Sequence, residues 1–66
     1  MLSKNNVRKL REAQLMSKAE LARMAGVAAA TIDRIENGAE CRLETKRKII
    51  LALGFSLPEK EKVFIG

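Results

Sequence analysis

Three internal glycines, Gly26, Gly38 and Gly54, constrain most strongly how this chain can fold. Between them apolar residues recur at helical spacing, and the β-branched runs that a sheet favours are missing. Glycine readily takes the positive φ that follows a helix, so each of the three predicts a helix end. The 66 residues are too few for more than one modest core. We therefore expect one all-α domain over residues 1–66, a compact bundle of about five short helices.

The first two helices differ in how clearly their ends are marked. The first is predicted from about Lys4 to Gln14, and no strong breaker ends it. Ser17 and Glu20 form a capping box, because each side chain can bond the backbone amide of the other residue. This box predicts the start of the second helix, which ends at Gly26 and whose apolar stripe comprises Leu21, Met24 and Ala25.

The other three helices follow from similar signals. The third covers the segment "AATIDRIEN", and its buried side is marked by Val27, Ala28, Ile32 and Ile35. The fourth is expected from about Leu43 to Leu53. A second capping box, Ser56 with Glu59, starts a short fifth helix that ends near Val63. Pro58 falls in its first turn, where proline loses no hydrogen bond.

Charge and composition narrow the classes of function. The chain has 13 Lys and Arg against 8 Asp and Glu, a net charge of +5, which favours an anionic partner such as nucleic acid or a membrane surface. With no histidine and one cysteine, Cys41, it offers neither a Cys/His zinc site nor an internal disulfide. No signal peptide or membrane span is evident, so we expect a soluble, cytoplasmic protein. We expect no enzyme activity and no cofactor, because no nucleophile and base pair and no Gly-rich phosphate loop is present.

The spacing of small and aliphatic residues in the middle of the chain predicts a helix-turn-helix. Two short helices with a glycine-containing turn define this motif. Ala22 allows the helices to approach and Gly26 makes the turn, while the aliphatic wedge consists of Val27, Ile32 and Ile35. An ordinary αα-corner in a helical domain would show similar spacing.

The segments "SKAELARMAGVAAATIDRIENG" and "ALGFSL" resemble the phage-repressor and Cro-like helix-turn-helix family, the XRE family, whose members carry variants of "SQEELAEKAGVSRSTISRIENG" and "ALGVSL". The resemblance covers residues 7 to 57, and "RIENG" is its most specific part. It implies a compact five-helix domain that binds double-stranded DNA. Such domains are usually bacterial or phage transcriptional regulators, often repressors, that act as homodimers on palindromic operators.

The resemblance also implies roles for individual residues. In the family the third helix lies in the major groove, and the start of the second helix meets the phosphate backbone. By position, the expected base contacts are Ala29, Ala30, Thr31 and Arg34, and the expected phosphate contacts are Lys18, Arg42 and Ala28. Arg11 and Glu36 correspond to a buried or half-buried salt bridge between the first and third helices. Two independent solvated charges are the alternative.

Two departures from the family pattern affect these expectations. Relatives usually carry polar side chains where this chain has Ala28, Ala29 and Ala30, and alanine offers only a methyl group to a thymine methyl. Three interpretations stay open: readout by Arg34 and Thr31 with methyl and shape contacts, deliberate replacement of contact residues in a laboratory variant, or a changed partner. Leu15 stands where relatives often have glycine, so it must avoid positive φ or adopt it at a cost.

A second class of function is a protein-interaction module, antitoxin-like or dimerising. It is suggested by apolar residues outside the helix-turn-helix, Ile50, Leu51, Val63, Phe64 and Ile65. Exposure of these side chains would favour this hypothesis. Val63, Phe64 and Ile65 are equally compatible with a dimer contact on a two-fold operator and with packing back on the domain's own core.

Overall fold

The computed structural model describes residues 5–64, which fold as an all-α domain. Their helices are α1 (Val7–Ala13), α2 (Lys18–Ala25), α3 (Ala29–Glu36), α4 (Leu43–Ala52) and a 3₁₀-helix (Leu57–Lys62). The expected all-α architecture is therefore confirmed. No helix within residues 5–64 is long and apolar enough to cross a membrane.

Helix α1 is shorter than predicted at its N-terminal side. The predicted start, Lys4, lies outside the described residues, and the helix begins at Val7. The side-chain oxygen of Asn5 accepts a hydrogen bond from the Val7 amide, which holds the preceding backbone out of the helix. At the other end the helix stops at Ala13, one residue before the predicted Gln14.

Leu15 makes the chain reversal after α1. Its φ is +57°, the left-handed conformation. The amide of Met16 donates to the carbonyl of Arg11 and the amide of Leu15 to that of Glu12, which is the Schellman pattern of helix termination. The leucine thus adopts a positive φ, a conformation that costs glycine less free energy.

Leu15→Gly is expected to stabilise the domain by about 0.5–1 kcal/mol. A left-handed leucine costs about 1–2 kcal/mol, whereas glycine gives back about 0.4–1 kcal/mol through the freedom of the unfolded chain. Little packing is lost, because Leu15 is 91% exposed. Urea unfolding followed by circular dichroism measures the change. If the glycine variant is no more stable than the wild type, the left-handed conformation of Leu15 does not cost the expected free energy.

Helix α2 begins as the sequence predicts, but one residue of its stripe is misplaced. The amide of Glu20 donates to the Ser17 hydroxyl oxygen at 3.0 Å, and the Ser17 amide donates to the Glu20 carboxylate at 2.9 Å. The buried face consists of Leu21, Ala22 and Ala25. The prediction for Met24 is wrong, since its side chain is 61% exposed. At about 100° per residue it lies roughly 110° from the middle of that face.

The core lies where α2, α3, α4 and the flanking segments meet. Its buried members are Val7, Leu21, Ala22, Ala25, Ile32, Ile35, Ile49, Ile50, Leu53 and Val63. Ile32 and Ile35 are buried as predicted, and Val27 packs against the core half-buried. Ala28 is exposed, so its predicted burial is wrong. It precedes α3 in an extended conformation, with ψ of 148°, and so lies off the apolar face of the helix.

The fifth predicted helix is present, but as a 3₁₀-helix. The Glu59 carboxylate accepts hydrogen bonds from the Ser56 amide at 2.8 Å and from the Ser56 hydroxyl at 2.9 Å. The Ser56 amide and then Lys62, whose ammonium donates to the same carboxylate, lower the pKa of Glu59 to about 2. Pro58 lies in the first turn, as predicted. Helix α4 ends at Ala52, one residue before the predicted Leu53.

Two asparagines fasten the beginning of the described chain to its end. The Asn6 amide donates to the Val63 carbonyl at 2.8 Å, and the Asn6 side chain donates to the Lys62 carbonyl at 3.1 Å. Asn5 forms an antiparallel bridge with Phe64. The buried Asn5 side chain also donates to the carbonyl of Ile35, in the last turn of α3, at 2.9 Å. We call this arrangement the asparagine clasp.

Candidate nucleic-acid interface

Helices α2 and α3 form the predicted helix-turn-helix. The turn covers residues 26–28, and Gly26 has φ of +73° and ψ of +34°, in the left-handed region. The amide of Val27 donates to the Ala22 carbonyl at 2.9 Å, which closes the reversal. Ala22 is buried between the helices, where a larger side chain would push them apart.

Helix α3 has a buried face and an exposed face. Ile32, Ile35 and Glu36 are buried, while Ala29, Ala30 and Arg34 are exposed and Thr31 is half-buried. Ala30 and Arg34 are four residues apart and lie on the same side of the helix. The structure therefore places the four expected base-contacting residues in the first two turns of α3, with only Thr31 partly covered.

The first turn of α3 leaves backbone donors available. No side-chain oxygen caps this helix, because Ala28 occupies the N-cap position. The amides of Thr31 and Ile32 both donate to the Ala28 carbonyl, at 2.9 and 3.3 Å. The amides of Ala29 and Ala30 have no intrahelical acceptor, because the residues four positions before them lie outside α3.

Lys18 is paired with a carboxylate of the neighbouring helix. Its ammonium lies 2.5 Å from a carboxylate oxygen of Asp33, and both side chains are about half exposed. The hydrogen bond from Lys18 lowers the pKa of Asp33 below its usual value, so this carboxylate stays ionised at neutral pH. No feature of the sequence identifies Asp33 as the partner of Lys18. The two residues are 15 positions apart, and only the packing of α2 on α3 brings them together.

The structure brings Arg11 and Glu36 together in a bidentate contact. Arg11 Nε lies 2.7 Å from Glu36 Oε2, and a terminal guanidinium nitrogen lies 3.2 Å from Oε1. The other terminal nitrogen donates to the Met16 carbonyl at 2.8 Å. Only 9% of the Arg11 side chain and 3% of the Glu36 side chain are exposed. The hydrogen bond to Glu36 raises the pKa of Arg11 above its usual value.

Arg42 lies at the start of α4, after the loop that follows α3. It occupies the N-cap position of α4, is exposed, and has no side-chain hydrogen bond or ion pair with the rest of residues 5–64. Neighbouring Cys41 is half-buried, and this burial raises the pKa of its thiol. Nowhere in the described chain do three His, Cys, Asp or Glu side chains come together as metal ligands would.

Comparison with known proteins agrees with this geometry. The family model HTH_3, described as helix-turn-helix, matches residues 7–60, which include all four α-helices and the turn between α2 and α3. No curated protein shows a significant match to the chain. The matched region covers most of the 66 residues. The chain therefore belongs to the XRE-type, Cro/C1-like helix-turn-helix family of DNA-binding regulators.

Proposed function

We propose that this protein is a repressor-like transcriptional regulator that binds specific double-stranded DNA with α3 in the major groove. The observation that carries the proposal is the exposed face of α3, where Arg34 follows Ala30 by one turn on a helix-turn-helix scaffold. A major groove about 12 Å wide accepts an α-helix. The small residues at the start of α3 let its backbone come close to the base edges.

Arg34 is the principal base-reading residue in this proposal. Its exposed guanidinium has no partner in the described chain, so binding a guanine breaks no internal contact. Guanidinium can bond guanine O6 and N7 together, the commonest specific contact in the major groove. Ala29, Ala30 and the Thr31 methyl would pack against thymine methyl groups. Sequence-dependent DNA shape would supply further discrimination.

Phosphate contacts would fix the orientation of the domain on the duplex. Lys18 at the start of α2 and Arg42 at the start of α4 are exposed cations beside helix N-termini, where the backbone already favours an anion. The backbone of Ala28 would come to a third phosphate. Because these contacts carry no sequence information, they are expected to strengthen binding to all duplexes alike.

The proposal includes a homodimer on a palindromic operator in a bacterial or phage genome, acting in the cytoplasm. Two copies related by a two-fold axis match two half-sites one helical turn apart. Val63 is completely buried in the core, so it is unsuited to the dimer contact considered for it. Phe64 is half-buried, and Ile65 lies outside the described residues.

Binding to a pool of random duplexes at two salt concentrations, followed by sequencing of the bound fraction, tests this function. We expect enrichment of a palindromic motif and affinity that falls as salt rises, by about 0.9 in log K per phosphate contact for each unit of log salt. Salt-sensitive binding without enrichment would refute specific recognition. Absence of binding would refute the DNA function as a whole.

Asp33→Asn is expected to raise the affinity for random duplex DNA by about 1.4- to fivefold, since an exposed ion pair is worth roughly 0.2–1 kcal/mol. In the wild type, Lys18 must leave or share Asp33 to bind a phosphate. Competition or fluorescence-anisotropy titrations at low salt measure the change. Glu61→Gln on the 3₁₀-helix removes the same charge and serves as the control.

A double-mutant cycle separates competition for Lys18 from a general charge effect. In a Lys18→Ala background, Asp33→Asn should change affinity no more than Glu61→Gln does. An undiminished gain in that background would show that Asp33 acts by repelling DNA directly.

The structure also bears on the alternative of a protein-interaction module. Ile50 is 3% exposed and Val63 is fully buried, so these two residues serve the core of the domain. Leu51 is 57% exposed and does not belong to the core. The burial of Ile50 and Val63 therefore argues against a partner that binds through these two side chains alone.

A further inference from the structure

A groove of about 590 Å³ lies between α4 and the 3₁₀-helix. Apolar side chains of both helices and of Phe64, two residues beyond the end of the 3₁₀-helix, line this groove, namely Leu43, Ile50, Leu57 and Phe64. Ile50 is buried beneath it, whereas Leu43 is 72% exposed. An exposed leucine at the mouth of an apolar groove is a typical feature of a surface that binds another polypeptide.

Cationic side chains surround this groove. Lys46, Arg47 and Lys60 line it together with a single carboxylate, Glu61. The Lys46 ammonium lies 5.6 Å above the centre of the Phe64 ring, so it borders the apolar wall directly. The groove thus combines an apolar wall with an excess of two positive charges.

This charge distribution disfavours a second copy of the chain as the occupant. A two-fold contact places the same patch against itself, which would oppose the three cations of one groove to those of the other. Like charges across an interface cost free energy and suppress that partner. Duplex DNA would satisfy the cations but leave the exposed leucine and the aromatic ring without apolar contacts.

We propose that this groove binds an acidic amphipathic segment of a partner protein. Leucine-like or aromatic side chains at helical spacing would fill the space beside Leu57 and Phe64, and flanking Asp or Glu would face the surrounding cations. The ligand of this groove differs chemically from DNA, because it must supply both apolar side chains to bury and carboxylates to face the cations.

The groove is built from elements other than the DNA-reading helix. Helix α3 packs chiefly against α2 and α1, whereas the 3₁₀-helix packs against α4. A segment seated between α4 and the 3₁₀-helix would therefore leave the exposed face of α3 accessible. The protein could hold the partner and DNA together, and the inference does not depend on the proposed DNA function.

A fluorescein-labelled synthetic peptide, with Leu and Phe on one helical face and Glu on the other, tests the proposal by anisotropy. We expect saturable binding that Arg47→Glu weakens by about tenfold, because the substitution exchanges an attraction for a repulsion. Lys48→Glu makes the same charge change on α4 outside the groove and should alter affinity less than about twofold. A peptide with Lys in place of Glu should not bind. Circular dichroism establishes that both variants fold.

Three outcomes would overturn the inference. An equal loss of peptide affinity in Arg47→Glu and Lys48→Glu would mean that the peptide is held by nonspecific charge attraction. Displacement of the peptide by random duplex DNA would place it on the DNA-binding surface. Concentration-dependent self-association in analytical ultracentrifugation, abolished by Leu43→Ser, would assign the groove to a second copy. Failure to enrich a DNA motif bears only on the DNA function and leaves these readouts unaffected.

Discussion

Glu36→Gln is expected to lower the free energy of unfolding by about 3–5 kcal/mol, the usual cost of breaking a buried ion pair from one side. The substitution keeps the shape of the side chain but leaves the buried guanidinium of Arg11 without a counter-charge. A domain of 66 residues is stabilised by roughly 3–10 kcal/mol in total. The variant is therefore expected to be largely unfolded at moderate urea concentrations, where the wild type retains its helical circular dichroism.

Two further variants identify the cause of this loss. Arg11→Met combined with Glu36→Leu removes both charges and should recover much of the stability, because well-packed apolar residues often replace a buried pair without cost. Arg8→Ala breaks the exposed pair of Arg8 with Glu12 and should cost about 0.5 kcal/mol or less. If the double variant is as unstable as Glu36→Gln, an isolated buried charge is not the reason.

Arg34→Ala is expected to weaken binding to the selected DNA site by about 1–3 kcal/mol and to relax base preference at one position. The reason is that Arg34 is the one long, exposed donor among the four candidate base-contacting residues, the others being two alanines and a threonine. Titration of the variant against the selected duplex and against single-base variants of that duplex measures both effects.

Lys18→Ala provides the contrast. Loss of a phosphate contact should weaken binding to cognate and random duplexes equally, and it should lower the slope of log K against log salt by about one. Equal weakening of cognate and random DNA by Arg34→Ala would contradict base reading. It would mean that Arg34 contacts phosphate and that shape or methyl contacts carry any specificity.

The helix bounds were largely predictable because their signals are local. The box of Ser17 with Glu20 and the turn at Gly26 depend on neighbouring residues and appear in the structure as predicted. Met24 was misplaced because an apolar residue beside a buried stripe can face either way, and the packing of α3 and α4 on α2 decides. Likewise, no local signal shows that Leu15 takes positive φ, since only the hydrogen bonds around it force that conformation.

The candidate site was predictable by position but not by interaction. Family resemblance indicated Arg34, Lys18 and Arg42, and the structure leaves all three exposed. The family resemblance gave no indication that Lys18 pairs with Asp33. That contact joins residues on two helices whose relative rotation the sequence does not specify. The sequence singled out Ile50 and Phe64 as apolar residues outside the helix-turn-helix, but for the same reason it did not show that they line one cationic groove between α4 and the 3₁₀-helix.

The asparagine clasp has a consequence for the order in which the chain folds. Its hydrogen bonds join residues as many as 57 positions apart, from Asn6 to Val63, whereas α2 and α3 are close neighbours in sequence and can pair early. Closing so long a loop carries the larger entropy cost, so we expect the clasp to form late and to open first. Asn5 also holds the Ile35 carbonyl, which belongs to the last turn of α3. We therefore expect brief opening of the clasp to loosen the last turn of α3, and amide hydrogens there to exchange faster than those of α2.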